Sequence, residues 1–262
     1  MGAGHTHPLY RAGVSPVHRA PVEAKLVCLV IFVFAVVATP REMFWPYAVY
    51  TAAIVAIWCI ARLPVRWVLP RMLIELPFVV LAVLLPFSEG GERVPICGLS
   101  LSVPGLFAAW GILVKGTLGV AASVTFAATT PANELPIGLG RLGIPRTIAQ
   151  ILVMMLRYVD LLSAEARRGR IARESRGDSP RALHQAAATA TGVGALFLRS
   201  YERGERVHVA MLSRGFDGRM PEMPEMPGIA TVRSATWRWW LGTTSPALIA
   251  VAVAVCARVV AT

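Results

Sequence analysis

Two short strings in this chain have side chains and spacing suited to chemistry, and they are the same string. Ser175-Arg176-Gly177 and Ser213-Arg214-Gly215 lie 38 residues apart, each closing an arginine-rich run and each followed closely by an aspartate, Asp178 and Asp217. A guanidinium offers a planar fork of donors that suits a two-pronged grip on a carboxylate. Removing one partner of a desolvated grip costs about 2–5 kcal/mol; an exposed pair contributes about 0–1 kcal/mol. Carried on two helices, the doubled string could hold two copies of a partner. The plainer reading is a pair of helix ends. Glycine suits the residue just past a helix C-terminus, and Arg173 and Arg176 would complement the dipole of the last turn.

Other chemistry is not evident in the sequence. It has no phosphate-cradling glycine loop ending in Lys-Ser/Thr, no H-E-x-x-H, no G-x-S-x-G, and no carboxylate pair within an apolar run. The acids are scattered among arginines. Cys28, Cys59, Cys97 and Cys256 share no C-x-x-C spacing and read as small buried hydrophobes. His5 and His7 in the polar leader read as solvated. The expectation is a non-enzyme with no metal or nucleotide site of its own.

The elements that position the two strings follow from composition. The 262 residues are 55% hydrophobic and 16% charged, with a net charge of +11 and a mean hydropathy of +0.59. Soluble domains carry about 25% charged residues, so this balance points to a polytopic membrane protein. Residues 141–219 hold 14 arginines against 7 acids, a net +7, and a basic block of this kind belongs on the cytoplasmic side. No cleavable leader is expected.

Residues 1–24 read as a cytoplasmic leader, with Arg11, Arg19 and Lys25 as flanking cations. Residues 25–130 read as four membrane helices: 26–39, 45–61, 72–87 and 105–130. Residues 62–71 read as an inner loop with an interfacial helix, and 88–104 as a polar outer loop. Glu75 is expected to pair with Arg71 at headgroup level, and Lys115 either snorkels or faces the protein interior.

Residues 131–243 read as a cytoplasmic-side coupling domain. It would contain a short surface helix near 133–145 and an apolar helix over 147–162, packed at the inner face rather than crossing. The first charged arm follows at 163–177, then a small-residue helix at 182–198 and the second arm at 199–213. A Pro-rich connector spans 219–228, and Trp237, Trp239 and Trp240 mark an interface. Residues 244–262 hold the last of about five spans. The fold class is therefore all-α: about five transmembrane helices plus a helical coupling domain with two long arms.

The chain resembles the transmembrane T component of energy-coupling-factor (ECF) transporters, in the cobalt/nickel group. The resemblance is carried by Ser15-Pro16-Val17-His18-Arg19 with Lys25, Thr129-Thr130-Pro131, Leu142-Gly143-Ile144-Pro145, Arg157-Tyr158, the two Ser-Arg-Gly strings, and the run from Arg199 through Glu202, Arg203, Glu205 and Arg206 to Met211. It implies two cytoplasmic ABC ATPase subunits that use ATP and Mg, a separate membrane substrate-binding subunit, and a possible small accessory membrane subunit, all in a bacterial cell membrane. Arg176 and Arg214 would be the docking arginines. Relatives often have alanine before the arginine, where this chain has Ser175 and Ser213. The implied cargo is cobalt or nickel, cobalt first, with a vitamin as the alternative. A self-sufficient permease, and a basic protein that holds anionic lipid or nucleic acid by charge alone, are the rival readings. The resemblance implies no nucleic-acid partner.

Overall fold

The computed structural model describes residues 9–88, 90, 93–96, 99–177, 186–216 and 237–261. Within these, 9–138 with 237–261 form one compact unit and 139–216 form a second.

The first unit is a helical bundle. Ser15 caps the short helix α1 (Pro16–Arg19), its hydroxyl accepting from the His18 backbone N–H. Pro21 precedes α2 (Val22–Ala38), and Thr39-Pro40 ends it. Helix α3 (Trp45–Ala61) starts with Pro46 in its first turn. It closes on Arg62, a non-glycine residue in the left-handed region at φ 53°, and Pro64 follows. The interfacial helix expected over 62–71 is instead the beginning of a longer run. Helix α4 (Val65–Val68) passes through a 3-10 segment (Leu69–Glu75) directly into α5 (Leu76–Ser88). Two short antiparallel strands, β1 (Arg93–Ile96) and β2 (Leu99–Ser102), lie in what the sequence suggested was a plain loop. Helix α6 (Val103–Thr129) is capped by Ser102 and is followed by a 3-10 turn (Ala132–Glu134) and α7 (Leu135–Arg141). The last helix, α10 (Trp237–Ala261), packs mainly along α2.

The core lies where α2, α3, α6 and α10 meet. Phe32, Val36, Tyr47, Tyr50, Ile54 and Leu118 fill it. Helix α10 contributes Ala247, Ala250, Ala254 and Ala257, all at most 6% exposed. Their spacing puts one strip of methyl groups on a single helix face. Between apolar helices in lipid, small residues allow the close backbone approach on which packing depends. Buried hydroxyls fix the register: Tyr50 shares a 2.8 Å bond with Thr39 and donates to the Ala250 carbonyl at 3.2 Å. Trp58 Nε1 donates to Thr125 Oγ1 at 2.6 Å.

Three charged residues take positions that the sequence did not specify. Lys25, expected as a flanking headgroup cation, is 8% exposed. It donates to the Thr129 carbonyl at 2.9 Å and the His18 carbonyl at 3.2 Å, so it caps the C-terminal end of α6. The Arg11 backbone N–H reaches the adjacent Ala128 carbonyl at 3.0 Å, tying the leader to the same helix end. Glu75 is 5% exposed and sits against Gly116 of α6, where both its oxygens accept from Thr117 at 3.1 Å. Arg71 instead stacks over the Trp67 ring, 3.5 Å from its centroid, and donates to the Trp67 carbonyl. Lys115 donates to the Val37 carbonyl at 2.9 Å, which settles it on the C-terminal end of α2.

The second unit holds α8 (Arg146–Glu174) and α9 (Ala186–Leu212). The apolar helix and the first arm are one unbroken helix. The small-residue segment from Ala186 and the second arm are likewise one helix. Among the described residues, Val65–Phe87, Val103–Thr129 and Arg146–Glu174 are long and apolar enough to cross a membrane by length and composition, and Trp45–Ala61 and Thr244–Val259 are shorter apolar helices. The chain is an all-α membrane protein but for one small hairpin. Residue 147 onward, expected at the inner face, thus begins a helix whose length and composition suffice for crossing. The Pro-rich connector at 219–228, Asp178, Asp217 and Cys97 lie outside the described residues.

Candidate functional site

The two Ser-Arg-Gly strings end two helices in the same way. In α8 the Gly177 N–H reaches the Glu174 carbonyl at 3.1 Å; in α9 the Gly215 N–H reaches the Leu212 carbonyl at 3.0 Å. Gly177 has φ 87° and Gly215 φ 82°, the left-handed conformation that costs any residue with a Cβ about 1–2 kcal/mol. At the second end the Phe216 N–H also reaches back to the Met211 carbonyl at 3.0 Å, completing a Schellman cap. The serines bond backward into their helices, Ser175 Oγ to the Ile171 carbonyl at 2.9 Å and Ser213 Oγ to the Ala210 carbonyl at 3.0 Å. Each arginine therefore occupies the cap position itself. Arg176 and Arg214 are both exposed, and among the described residues neither has an acidic partner within ion-pair distance.

The helices carrying these ends run antiparallel where they meet. Glu165 of α8 accepts from Arg203 of α9 at 3.1 Å, with Arg199 at 3.6 Å. Eight residues further along α8, the Arg173 guanidinium lies against Gly192, nearer the start of α9, in space that a Cβ on Gly192 would fill. The ion pair occupies a special place in the repeat. Glu165 and Arg203 are 38 residues apart, the same offset that separates Arg176 from Arg214. Each stands 11 residues before its own arginine. An antiparallel pair of equivalent helices related by a twofold axis would join equivalent positions at that axis, as an isologous contact does. At 1.5 Å per residue each arginine lies about 17 Å from the crossing, and the two lie on the order of 30 Å apart.

The supporting residues divide into two groups. Arg203 and Arg173 face the partner helix within the hairpin rather than the surface. Glu202 and Arg206 form an exposed pair at 3.8 Å, one turn apart, and Glu205 is exposed. Sequence reasoning missed Glu165. The available signal was Arg199 and Arg203 at i and i+4, which puts two cations on one helix face and calls for a carboxylate opposite. Among the described residues no group of three or more His, Cys, Asp or Glu could hold a metal ion.

Residues 13–226 match the CbiQ family, described as cobalt transport protein, a span that includes both Ser-Arg-Gly strings and stops short of α10. An uncharacterized protein of Methanocaldococcus jannaschii is 26% identical over 209 residues, covering 75% of this chain and 70% of that protein. The cobalt transport protein CbiQ of Rhodobacter capsulatus is 24% identical over 201 residues, 76% of this chain and 81% of that one. A putative fused cobalt transport protein CbiMQ of Methanocorpusculum labreanum is 27% identical over 160 residues, 59% of this chain and 26% of that protein.

Proposed function

The chain belongs to the CbiQ family of cobalt transport proteins, and from that premise we propose that it is the coupling subunit, or T component, of an energy-coupling-factor importer. It would sit in the cell membrane with its N-terminus in the cytoplasm. The observation that supports this most is the equivalence of the two capped arginines about the Glu165–Arg203 pair. Two equivalent hooks about 30 Å apart suit two copies of one subunit better than a single binding groove. The partners are two cytoplasmic ATPases, each receiving one guanidinium on a carboxylate. ATP and Mg belong to those subunits. Their closure moves the two hooks, the long helices α8 and α9 carry the movement to the membrane, and a separate substrate-binding subunit opens its site inward.

The family description favours cobalt as cargo, with nickel second. A relative named as a putative fused cobalt transport protein, CbiMQ, supports a second transport protein as partner of this chain. The hairpin itself makes no bond in any reaction; its role is to dock and to transmit.

The test is Arg176→Glu with Arg214→Glu, expressed alongside the ATPases. Reversing both charges should abolish co-purification of the ATPases and cobalt uptake, while each single variant should retain partial binding. Full co-purification and undiminished uptake by the double variant would refute the assignment. Uptake by this chain without partners would favour a self-sufficient permease instead.

A further inference from the structure

Two cavities adjoin at the end of α3. The first, of about 320 Å³, is apolar and lies between α2, α3 and α6, walled by Leu29, Phe32, Ile54, Ile57 and Phe126. The second, of about 470 Å³, is polar: Arg11, Ser15, His18 and Arg62 line it, and no acidic residue does. Pro16 and Ile60 line both. Ile54, Ile57 and Ile60 recur every three residues, a strip down one face of α3 that leads from the apolar cavity to the basic one. Both volumes fall within those of ligand sites, about 300–1,000 Å³.

The charge in the second cavity has no counter-charge. The His18 imidazole commits both ring nitrogens, to the Ser15 hydroxyl at 2.7 Å and the Arg11 carbonyl at 3.1 Å. The guanidinium groups of Arg11 and Arg62 are exposed, and neither has a carboxylate within ion-pair distance among the described residues. Arg62 also stands where the backbone favours another residue. It ends α3 at φ 53°, with its N–H on the Cys59 carbonyl and the Leu63 N–H on the Trp58 carbonyl. The other left-handed positions among the described residues are Gly143, Gly177 and Gly215. A side chain in that conformation is strained, and strain kept at an exposed position points to a use for the side chain.

We propose that the adjoining cavities hold one anionic phospholipid, its phosphate between Arg11 and Arg62 and an acyl chain along the isoleucine strip. Charge complementarity selects the headgroup, since two guanidinium forks at the end of an apolar helix suit the oxygens of a phosphate diester. The apolar cavity selects a lipid over a free phosphate ion, which would leave that cavity unfilled.

The test uses the full chain in detergent, titrated with phosphatidylglycerol or phosphatidylcholine and read by native mass spectrometry. Wild type should hold one phosphatidylglycerol more tightly than any phosphatidylcholine. In Arg11→Gln/Arg62→Gly the affinity for that lipid should fall on the order of tenfold. Arg62→Gly alone should weaken it too, while its melting temperature without lipid holds or rises, because glycine relieves the backbone; loss of lipid is thereby separated from loss of fold. Arg11→Lys/Arg62→Lys should keep the lipid, and inorganic phosphate should not displace it. Equal retention of the two lipids by wild type, unchanged retention in the glycine variants, a lowered melting temperature in lipid-free Arg62→Gly, loss in the lysine variant, or displacement by inorganic phosphate would each overturn the assignment.

Discussion

Replacing Glu165 with Gln should loosen the hairpin by an amount that the geometry apportions between its two arginines. The Glu165 side chain is 13% exposed, Arg203 is 33% exposed at 3.1 Å, and Arg199 is 66% exposed at 3.6 Å. The Arg203 contact is a charge-assisted hydrogen bond within normal length and largely shielded. Such bonds contribute about 1.5–3 kcal/mol, and partial exposure argues for the lower end, about 1.5 kcal/mol. The Arg199 contact is too long for a hydrogen bond and faces solvent, so it contributes less than about 0.5 kcal/mol. A double-mutant cycle separates them. Unfolding in mixed micelles should give a coupling of about 1.5 kcal/mol, a factor of roughly 10 in the equilibrium, between Glu165→Gln and Arg203→Gln. The cycle with Arg199→Gln should fall below about 0.5 kcal/mol. Because Glu165 and Arg203 hold equivalent places in the repeat, the exchange Glu165→Arg/Arg203→Glu should recover most of the loss. Equal couplings for the two arginines, a reversed order, or no recovery on exchange would refute the reasoning.

Further outcomes follow from features of single residues. Gly215→Ala forces a Cβ into a left-handed backbone and should fray the end of α9 at a cost of about 1 kcal/mol; amide exchange over 209–216 should quicken. Gly204→Ala, mid-helix with nothing within 4 Å of the new Cβ, should instead stabilise by about 0.5–1 kcal/mol. For pH, burial first and the nearby Lys25 second hold the His18 imidazole below its ordinary value, against a smaller opposing effect of its bond to the Arg11 carbonyl. The neutral ring suits both neighbours: Nε2 donates to the Arg11 carbonyl at 3.1 Å and Nδ1 accepts from the Ser15 hydroxyl at 2.7 Å. A base with a depressed value contributes stability above its unfolded value and loses it as pH falls from about 6.5 through the lower folded value. The melting temperature should therefore drop across that window, and His18→Gln should flatten the drop. Glu134, raised chiefly by burial, works in the opposite direction, with stability greatest below its unfolded value and lost as pH rises through the folded one.

Much of the architecture was legible because membrane helices declare themselves in composition and in the residues that stop them. Pro40, Pro64 and Thr129-Thr130-Pro131 mark ends that the structure keeps. The doubled Ser-Arg-Gly was legible as a pair of capped helix ends, since only a glycine just past the last turn meets that backbone demand without strain. The joins were not legible. Pro70 suggested a break between an interfacial helix and a span, yet the chain passes it in a tightened 3-10 stretch, Leu69–Glu75, without leaving helical backbone. The partners of buried charges were also hidden. Lys25 and Thr129 are 104 residues apart and Arg258 and Ala38 are 220 apart, and no local pattern announces such contacts. Glu165 was hidden for a different reason: it lies among arginines on its own helix, where a solvated acid looks the same.

The equal 11-residue lengths from the ion pair to each arginine have a mechanical consequence. The hairpin resembles a pair of scissors whose two blades, measured from the pivot to each arginine, are equal, each about 17 Å long. Turning one helix by 10° about that pivot sweeps its tip through about 3 Å, and the reverse stroke returns the same displacement. Neither tip gains leverage over the other, so equal rotations of the two helices would displace both arginines by the same amount.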